Sequence, residues 1–300
     1  MAEWIASLEG TAAGHNVALM LAILAAFLHA VFGALQKGRY DPWLTRGAID
    51  ISYGIMALPI ALFLVPWPEA ELIPIYAGVF LIHTVYKIPQ AKAYTKGAYT
   101  VVYPVVRGTG PLFTVFGAYL IFGEIFSLTQ WMGVLVLLMG IFGLAVYNVL
   151  YLTTARETLW SALGFAFVTG LFVALYTTYD AYGIRAAQNP MTFLAWFFVI
   201  DSVAIPPYAF YRWSKMDLRP RLGPLMVRGV IGGLVAFFSF GSVMLATRLD
   251  KVGEAAILRE TSTVFAAIIG WLFLKETVGP RRMVLMALIA LGAVIVEFGG

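Results

Sequence analysis

A few ionisable side chains lie inside long apolar runs of this sequence, where a charge is costly unless it faces a protein interior or a wet cavity. Two of them are the arginines Arg107 and Arg259. At about 1.5 Å per residue, Arg107 lies about 15 Å into its run, near the middle of a membrane core about 30 Å thick. The planar donor fork of a guanidinium suits a carboxylate. Both arginines are therefore candidates for receiving an anionic group of a substrate.

The alternative for these arginines is a buried ion pair that locks helices together. Glu254 or Asp201 is the expected partner of either arginine. Glu260 follows Arg259 directly and is expected to point elsewhere on the helix, because successive helical residues face different directions. Substrate contact and a structural ion pair both remain open.

Aromatic side chains accompany Arg107 along one helical face. Tyr99, Tyr103 and Arg107 follow one another at intervals of four residues, so two phenols and a guanidinium form a stripe. Such a stripe suits an aromatic zwitterion as a substrate. It is also typical of helix packing, and Tyr99 lies near the membrane edge, where tyrosines serve as interfacial anchors.

A histidine, a tyrosine and a lysine fall close together in another apolar run, as His83, Tyr86 and Lys87. His83 is expected to hydrogen-bond a substrate or to exchange a proton during transport. The alternative is a histidine that packs between helices. Lys87 is expected to extend its ammonium to the cytoplasmic surface. Tyr86 adjoins these groups and is a further candidate for substrate contact.

The second half of the chain contains a polar run formed by Tyr176, Thr177, Tyr179 and Asp180. The two tyrosines are candidates for a cavity shared by the two halves. Asp180 is expected either to bind an ammonium group or to be solvated, because it lies near the end of its predicted helix.

The elements that carry these residues are predicted to be membrane spans. Hydrophobic residues make up 61% of the 300 positions and charged residues 12%, with a mean hydropathy of +0.86. Soluble domains are about 25% charged. Apolar runs bounded by charge, Pro or Gly predict ten transmembrane helices. Their expected positions are 16–37, 47–66, 71–91, 97–122, 128–149, 159–180, 190–211, 222–247, 252–274 and 281–298.

The two halves of the chain repeat with an offset of 152 residues. Matched positions include Arg107 with Arg259 and Glu124 with Glu276. Residues 1–152 and 153–300 are therefore expected to be two five-helix repeats. A repeat with an odd number of spans enters the membrane from opposite sides in its two copies. The predicted fold is thus all-α and integral to the membrane, with ten transmembrane helices in two inverted repeats, as in alternating-access transporters.

The basic residues are unevenly distributed between the predicted connections. Odd-numbered connections hold 13 of them and even-numbered connections 3. The positive-inside rule then places both termini outside. No Lys or Arg precedes the first apolar run, which is therefore expected to be a retained span rather than a signal peptide. The lipid bilayer and a small molecule are the expected partners, nucleic acid is not, and a monomer is among the oligomeric states that the sequence allows.

Sequence motifs of enzymes are absent. There is no His-Glu-x-x-His helix, no Gly-x-Ser-x-Gly elbow and no phosphate-cradling Walker loop. The sequence contains no cysteine, and its three histidines are too scattered for a metal site. Neither catalysis nor a cofactor is expected.

Two segments resemble the paired signature regions of EamA-type carriers in the drug/metabolite transporter superfamily. They are Tyr103–Glu124, YPVVRGTGPLFTVFGAYLIFGE, and Ala255–Glu276, AAILRETSTVFAAIIGWLFLKE. The resemblance implies ten spans in two inverted repeats. Gly123 and Glu124 match the pair that ends the fourth helix in this family, whereas Lys275 stands where the second copy commonly has Gly. Family members are often drawn with cytoplasmic termini, in conflict with the charge distribution.

Within this family, the stretch from His83 to Phe116 looks most like the YddG-type exporters of aromatic amino acids. That resemblance implies efflux of Phe, Tyr and Trp across a bacterial-type inner membrane. The resemblance also implies that the candidates for lining the substrate cavity are His83, Tyr86, Tyr99 and Tyr103. The alternatives are a multidrug or phosphorylated-metabolite carrier and, further away, a membrane-embedded enzyme or a structural protein.

Overall fold

The computed structural model describes residues 2–36, 40–97, 99–151, 158–274 and 279–300. Helices joined by short connections make up this part of the chain. Their bounds are α1 Ala2–Leu8, α2 Ala12–Gln36, α3 Pro42–Phe63, α4 Ile73–Lys96, α5 Tyr99–Phe122, α6 Leu128–Tyr151, α7 Leu159–Ala186, α8 Pro190–Asp201, α9 Ile205–Ser214, α10 Leu222–Leu249, α11 Val252–Arg259, α12 Ser262–Leu274 and α13 Pro280–Phe298.

Two helices begin at a capping residue followed by proline. The Asp41 Oδ1 accepts hydrogen bonds from the main-chain N–H of Trp43 (2.8 Å) and Leu44 (3.4 Å) at the start of α3. Asn189 caps α8 in the same way. A short acceptor side chain followed by proline satisfies the free N–H groups of a first helical turn and presets its φ angle, so the sequence determines where these helices begin.

The helices confirm a multi-pass membrane protein. Within the described ranges, eight segments are long and apolar enough to cross a membrane, and α8 and α9 together form one of them, Pro190–Ser214. Large apolar side chains point outward, for example Phe63 (80% exposed) and Leu120 (79%), as expected for a surface that faces lipid tails. The largest extensions beyond the predicted ends occur in α4, which reaches Lys96, and in α7, which reaches Ala186.

The chain divides into two compact units. The first comprises Met1–Thr84 and Tyr179–Leu249, and the second comprises Val85–Thr178 and Asp250–Gly300. Each unit thus draws on both halves of the sequence, and α4 and α7 contribute residues to both units. The expectation of two sequence repeats, 1–152 and 153–300, concerns the chain order and stays a prediction at this point.

The first unit is built around aromatic side chains. Helix α3 packs against α8, α9 and α10, and α10 also packs against α2. The core of this unit contains the buried rings of Tyr53, Tyr76, Phe193, Phe197 and Phe198. Because these rings are large and fully enclosed, they fix the positions of the helices that carry the polar groups of this unit.

In the second unit, α6 packs closely against α13. Helix α5 packs against α6, and α11 packs against both α5 and α13. Glycine makes this approach possible. A Cβ atom on Gly292 would meet the main chain of Leu137 and Gly133, and one on Gly140 would meet the main chain of Leu285 and Ile289. Small residues that let main chains come together are a common basis of helix association in membranes.

We expect Gly292→Ala to destabilise the protein by about 1–3 kcal/mol, because the new methyl group overpacks a contact formed by main-chain atoms. The measurement is the thermal unfolding midpoint of the purified protein in detergent. Gly241→Ala in α10 is the matched control, since its Cβ would have no described atom within 4 Å. Equal midpoints for the two variants would contradict the assigned role of Gly292.

Candidate functional site

Four tyrosines and an arginine converge in the second unit. The rings of Tyr86 from α4 and Tyr176 from α7 lie 5.0 Å apart between centroids. Tyr94 interacts electrostatically with both of these residues and with Tyr103 and Arg107 of α5. We call Tyr86, Tyr94, Tyr103 and Tyr176 the tyrosine cluster. Three helices therefore present phenol rings and a cation to one region, which suits a flat substrate with a negative group.

Arg107 is largely occupied by contacts within the protein. Its side chain is 4% exposed, and its Nε lies 2.7 Å from Oε2 of Glu260. One of its terminal nitrogens donates to the carbonyl of Arg259 (3.0 Å) and to Oγ of Ser262 (2.9 Å). Its guanidinium also lies 5.8 Å from the ring centre of Tyr103. Arg107 thus ties α5 to the junction of α11 and α12.

The expected partner of Arg107 was wrong. Glu254 instead accepts hydrogen bonds from Gln130 (2.6 Å) and Lys251 (2.8 Å), and Asp201 belongs to the first unit. Glu260 takes the role because the helix breaks there: α11 ends at Arg259 and α12 begins at Ser262. The argument that Glu260 points away assumed a continuous helix.

Arg259 differs from Arg107 in its contacts. It is 3% exposed, and its Nε has no hydrogen-bond acceptor among the residues that the structure describes. Glu260 interacts electrostatically with both guanidinium groups. Arg259 also occupies the last turn of α11, where the partial negative charge of the helix end favours a cation. Arg259 is therefore a buried cation whose Nε has no described acceptor, whereas Arg107 contacts Glu260, Ser262 and the Arg259 carbonyl.

A second polar cluster lies in the first unit, centred on His83. The Nε2 of His83 lies 2.9 and 3.2 Å from the two carboxylate oxygens of Asp180 in α7. On the other side of the ring, its Nδ1 lies 3.7 Å from Oδ1 of Asp201 in α8. The ring of Phe197 packs edge-on against the imidazole, with centroids 5.0 Å apart. His83 therefore stands between two carboxylates in an apolar setting.

Helix α3 extends this cluster. The hydroxyl of Tyr53 donates a hydrogen bond to Asp201. Arg46 lies 3.6 Å from Asp201 and 2.6 Å from Asp50 one turn along its own helix. We call His83, Asp180, Asp201, Tyr53, Arg46 and Asp50 the carboxylate network. Its histidine, tyrosine and three aspartates are each at most 5% exposed, so the network is shielded from bulk water.

Several predicted residues have surroundings that differ from expectation. Asp180 is 3% exposed and not solvated, because α7 continues to Ala186. Lys87 is 2% exposed, so the expectation that it reaches the cytoplasmic surface was wrong. Tyr179 belongs to the first unit, where it packs beside Gly78. Tyr99 begins α5, but its side chain lies outside the described part of the chain.

Sequence reasoning missed Tyr94 and Tyr53. Tyr94 follows Tyr86 by eight residues, the same spacing that revealed the stripe leading to Arg107, but the predicted span ended at residue 91. Tyr53 carried no such signal, because its importance arises from Asp201, which is distant in sequence.

The glutamate of the signature pair has a structural role. Gly123 adopts a φ of 68°, which reverses the chain after α5. The two carboxylate oxygens of Glu124 then accept hydrogen bonds from the main-chain N–H of Val252 (2.9 Å) and Gly253 (3.1 Å). Glu124 thus caps the first turn of α11, where a negative charge is favoured. Lys275 and Glu276, its counterparts in the second copy, lie outside the described residues.

Comparisons with known proteins agree with this architecture. The family model described as the EamA-like transporter family matches residues 16–146 and again residues 160–298. No curated protein matches the chain. One crystal structure shares 15% identity with a TM-score of 0.74, covering 95% of this chain and 96% of the other, which establishes similarity of fold.

Proposed function

Because the chain belongs to the EamA-like transporter family, and is thus a membrane transporter, we propose that it exports aromatic amino acids across a bacterial-type inner membrane. In this proposal α11 with α12 and α13 complete a set of ten spans in two inverted repeats. The two family matches, one on each side of residue 152, support such a repeat. Alternating access of a central cavity is the transport mechanism that follows from this architecture.

The arrangement of the tyrosine cluster beside the arginines of the same unit carries this proposal. Phenol rings offer stacking surfaces for an indole or phenyl side chain. Arg259 supplies donors for a carboxylate, while Arg107 is engaged by Glu260. The substrate-binding residues in this proposal are Tyr86, Tyr94, Tyr103, Tyr176 and Arg259.

Competing substrate classes fit this charge pattern less well. A phosphate ester carries close to two charges and is expected to require several free cations together. A flat drug cation would meet the positive charge of Arg259. A single carboxylate attached to an aromatic group matches the four phenol rings and the Arg259 Nε, which has no described acceptor, in the same unit.

The test is counterflow of radiolabelled Trp and Phe in liposomes that contain the purified protein. We expect saturable exchange that unlabelled Trp inhibits and that neither a sugar phosphate nor an aromatic quaternary ammonium compound inhibits. Absence of Trp and Phe exchange in folded protein, or inhibition by the phosphate ester, would overturn the proposal in favour of a drug or metabolite carrier.

Stacking in the tyrosine cluster leads to a prediction for Tyr103. Tyr103→Leu is expected to raise the half-saturating Trp concentration about tenfold, equivalent to about 1.4 kcal/mol of lost aromatic contact. Tyr103→Phe keeps the ring and is expected to behave like the wild type. If both variants lose affinity equally, the hydroxyl rather than the ring is what matters at this position.

A further inference from the structure

We propose that the connection between α9 and α10 is a binding surface for the headgroups of anionic phospholipids. The surface consists of the cations Lys215, Arg219 and Arg221 and of the apolar side chain of Leu218, which lies among them in sequence. We call these four residues the basic surface. They belong to the first unit, and the proposal does not depend on the substrate proposed above.

The basic surface lies at a boundary of the membrane. The connection follows the candidate span Pro190–Ser214 and precedes the candidate span Leu222–Leu249, so it lies where both spans reach the lipid headgroups. All three cations are exposed, and large apolar side chains are exposed on either side of the connection. These side chains are Phe210, Tyr211 and Leu222. Positive charge and apolar surface are thus presented together, as at the boundary between headgroups and acyl chains.

Side-chain contacts hold the connection in a compact conformation. Arg219 donates a hydrogen bond to the carbonyl of Ser214 (2.7 Å), the last residue of α9. The indole N–H of Trp213 donates to the carbonyl of Pro220 (3.1 Å), and the Arg219 guanidinium lies 5.3 Å from the centre of the indole ring. The Lys215 ammonium lies 5.9 Å from the centre of an aromatic ring one turn earlier. Cations that are already ordered lose less conformational entropy when they bind an anion.

The cations of the basic surface are not neutralised by the protein. Other arginines of the first unit are paired, since Arg46 and Arg212 contact aspartates and Arg248 contacts a glutamate. Among the residues that the structure describes, no carboxylate forms an ion pair with the three cations of the basic surface. Asp217 is the one carboxylate in residues 205–221, so the surface keeps an excess of positive charge even with Asp217 counted.

The apolar part of the basic surface identifies the anion as a lipid. Leu218 is 94% exposed, and an exposed leucine gains free energy when acyl chains cover it. A soluble anion would interact with the cations alone. A zwitterionic lipid carries its own cation beside the phosphate, so the basic surface favours lipids with a net negative charge. Each Lys or Arg near an anionic membrane surface strengthens binding about fivefold.

The direct test is native mass spectrometry of the purified protein in detergent with equal amounts of phosphatidylglycerol and phosphatidylcholine that have the same acyl chains. We expect the wild type to bind phosphatidylglycerol at least about fivefold more than phosphatidylcholine. The triple variant Lys215→Gln, Arg219→Gln and Arg221→Gln is expected to lose most of this preference. A wild type without the preference, or a triple variant that keeps it, would overturn the proposal.

Two further variants separate the basic surface from folding and from total charge. Arg219 also orders the connection, so Lys215→Gln with Arg221→Gln tests the cations without removing its hydrogen bonds, and this double variant should lose part of the preference. The matched control is Lys92→Gln, Lys96→Gln and Arg281→Gln, which removes the same charge from other exposed positions. We expect the control to keep the preference of the wild type. An equal loss in the control would show that total charge, and not the basic surface, selects the lipid.

Thermal unfolding distinguishes a lipid headgroup from a soluble anion. Phosphatidylglycerol is expected to raise the unfolding midpoint of the wild type more than phosphatidylcholine does, and to lose this advantage in the triple variant. Inorganic phosphate should neither reproduce nor abolish the effect when it replaces chloride at the same ionic strength. If inorganic phosphate stabilises the wild type equally well, the basic surface binds a soluble anion and the lipid proposal is wrong.

Discussion

Replacing Arg107 by alanine is expected to destabilise the protein by about 3–5 kcal/mol, the cost of leaving a buried charge without its partner. That charge is Glu260, which is fully buried 2.7 Å from the Arg107 Nε. The variant also removes donors from the Arg259 carbonyl and from Ser262. The measurement is the thermal unfolding midpoint in detergent, followed by size-exclusion chromatography.

Two further variants make this prediction specific. Arg281→Ala, which removes an exposed arginine, is the control and should leave the midpoint nearly unchanged. The double variant Arg107→Leu with Glu260→Leu is expected to regain part of the lost stability, because apolar residues replace a buried ion pair at little net cost, while Arg259 loses its interaction with Glu260. A double variant as unstable as the single one would show that the ion pair is not the cause.

Arg259→Ala is expected to have the opposite profile: nearly normal stability and a loss of Trp transport by about 10- to 150-fold, the effect of removing about 1.5–3 kcal/mol of hydrogen bonding to a charged group. The physical reason is that no described acceptor engages the Arg259 Nε, and that Arg107 still pairs with Glu260 in this variant. The measurement is the concentration dependence of Trp counterflow.

A substrate analogue provides the control for Arg259. Tryptamine has the indole and the amine of Trp but lacks the carboxylate. Its ability to inhibit counterflow should therefore be the same in wild type and Arg259→Ala. If tryptamine inhibition falls as much as Trp transport does, Arg259 shapes the cavity and does not bind the carboxylate. A variant that unfolds like Arg107→Ala would likewise contradict the assigned role.

The membrane helices were largely predictable from the sequence, since long apolar runs have one stable form in lipid. Helix ends were predictable where a cap and a proline coincide, as at Asn189. They were not predictable where a helix continues past its apolar run, as α7 does beyond Asp180. That extension changes Asp180 from an expected surface residue into a buried partner of His83.

The candidate site shows why residue identity is easier to infer than residue role. The repeat pairs Arg107 with Arg259, yet Arg107 forms a close ion pair with Glu260, whereas the Nε of Arg259 has no described acceptor. Their difference arises because α5 is continuous through Arg107 whereas the chain breaks just after Arg259. The local sequence does not predict this break, because Glu260 and Thr261 are both tolerated within helices. The break is stabilised by the contact between Glu260 and Arg107, which are 153 residues apart in sequence.

Helix α4 carries one residue of the carboxylate network and, three residues later, one residue of the tyrosine cluster. His83 and Tyr86 lie on one unbroken helix, separated by about 4.5 Å of rise, and the prolines of α4 lie outside this interval. The main-chain hydrogen bonds of a helix fix the rise per residue, so the distance between these two positions stays nearly constant. A movement of this part of α4 would therefore displace His83 and Tyr86 together, because no loop lies between them.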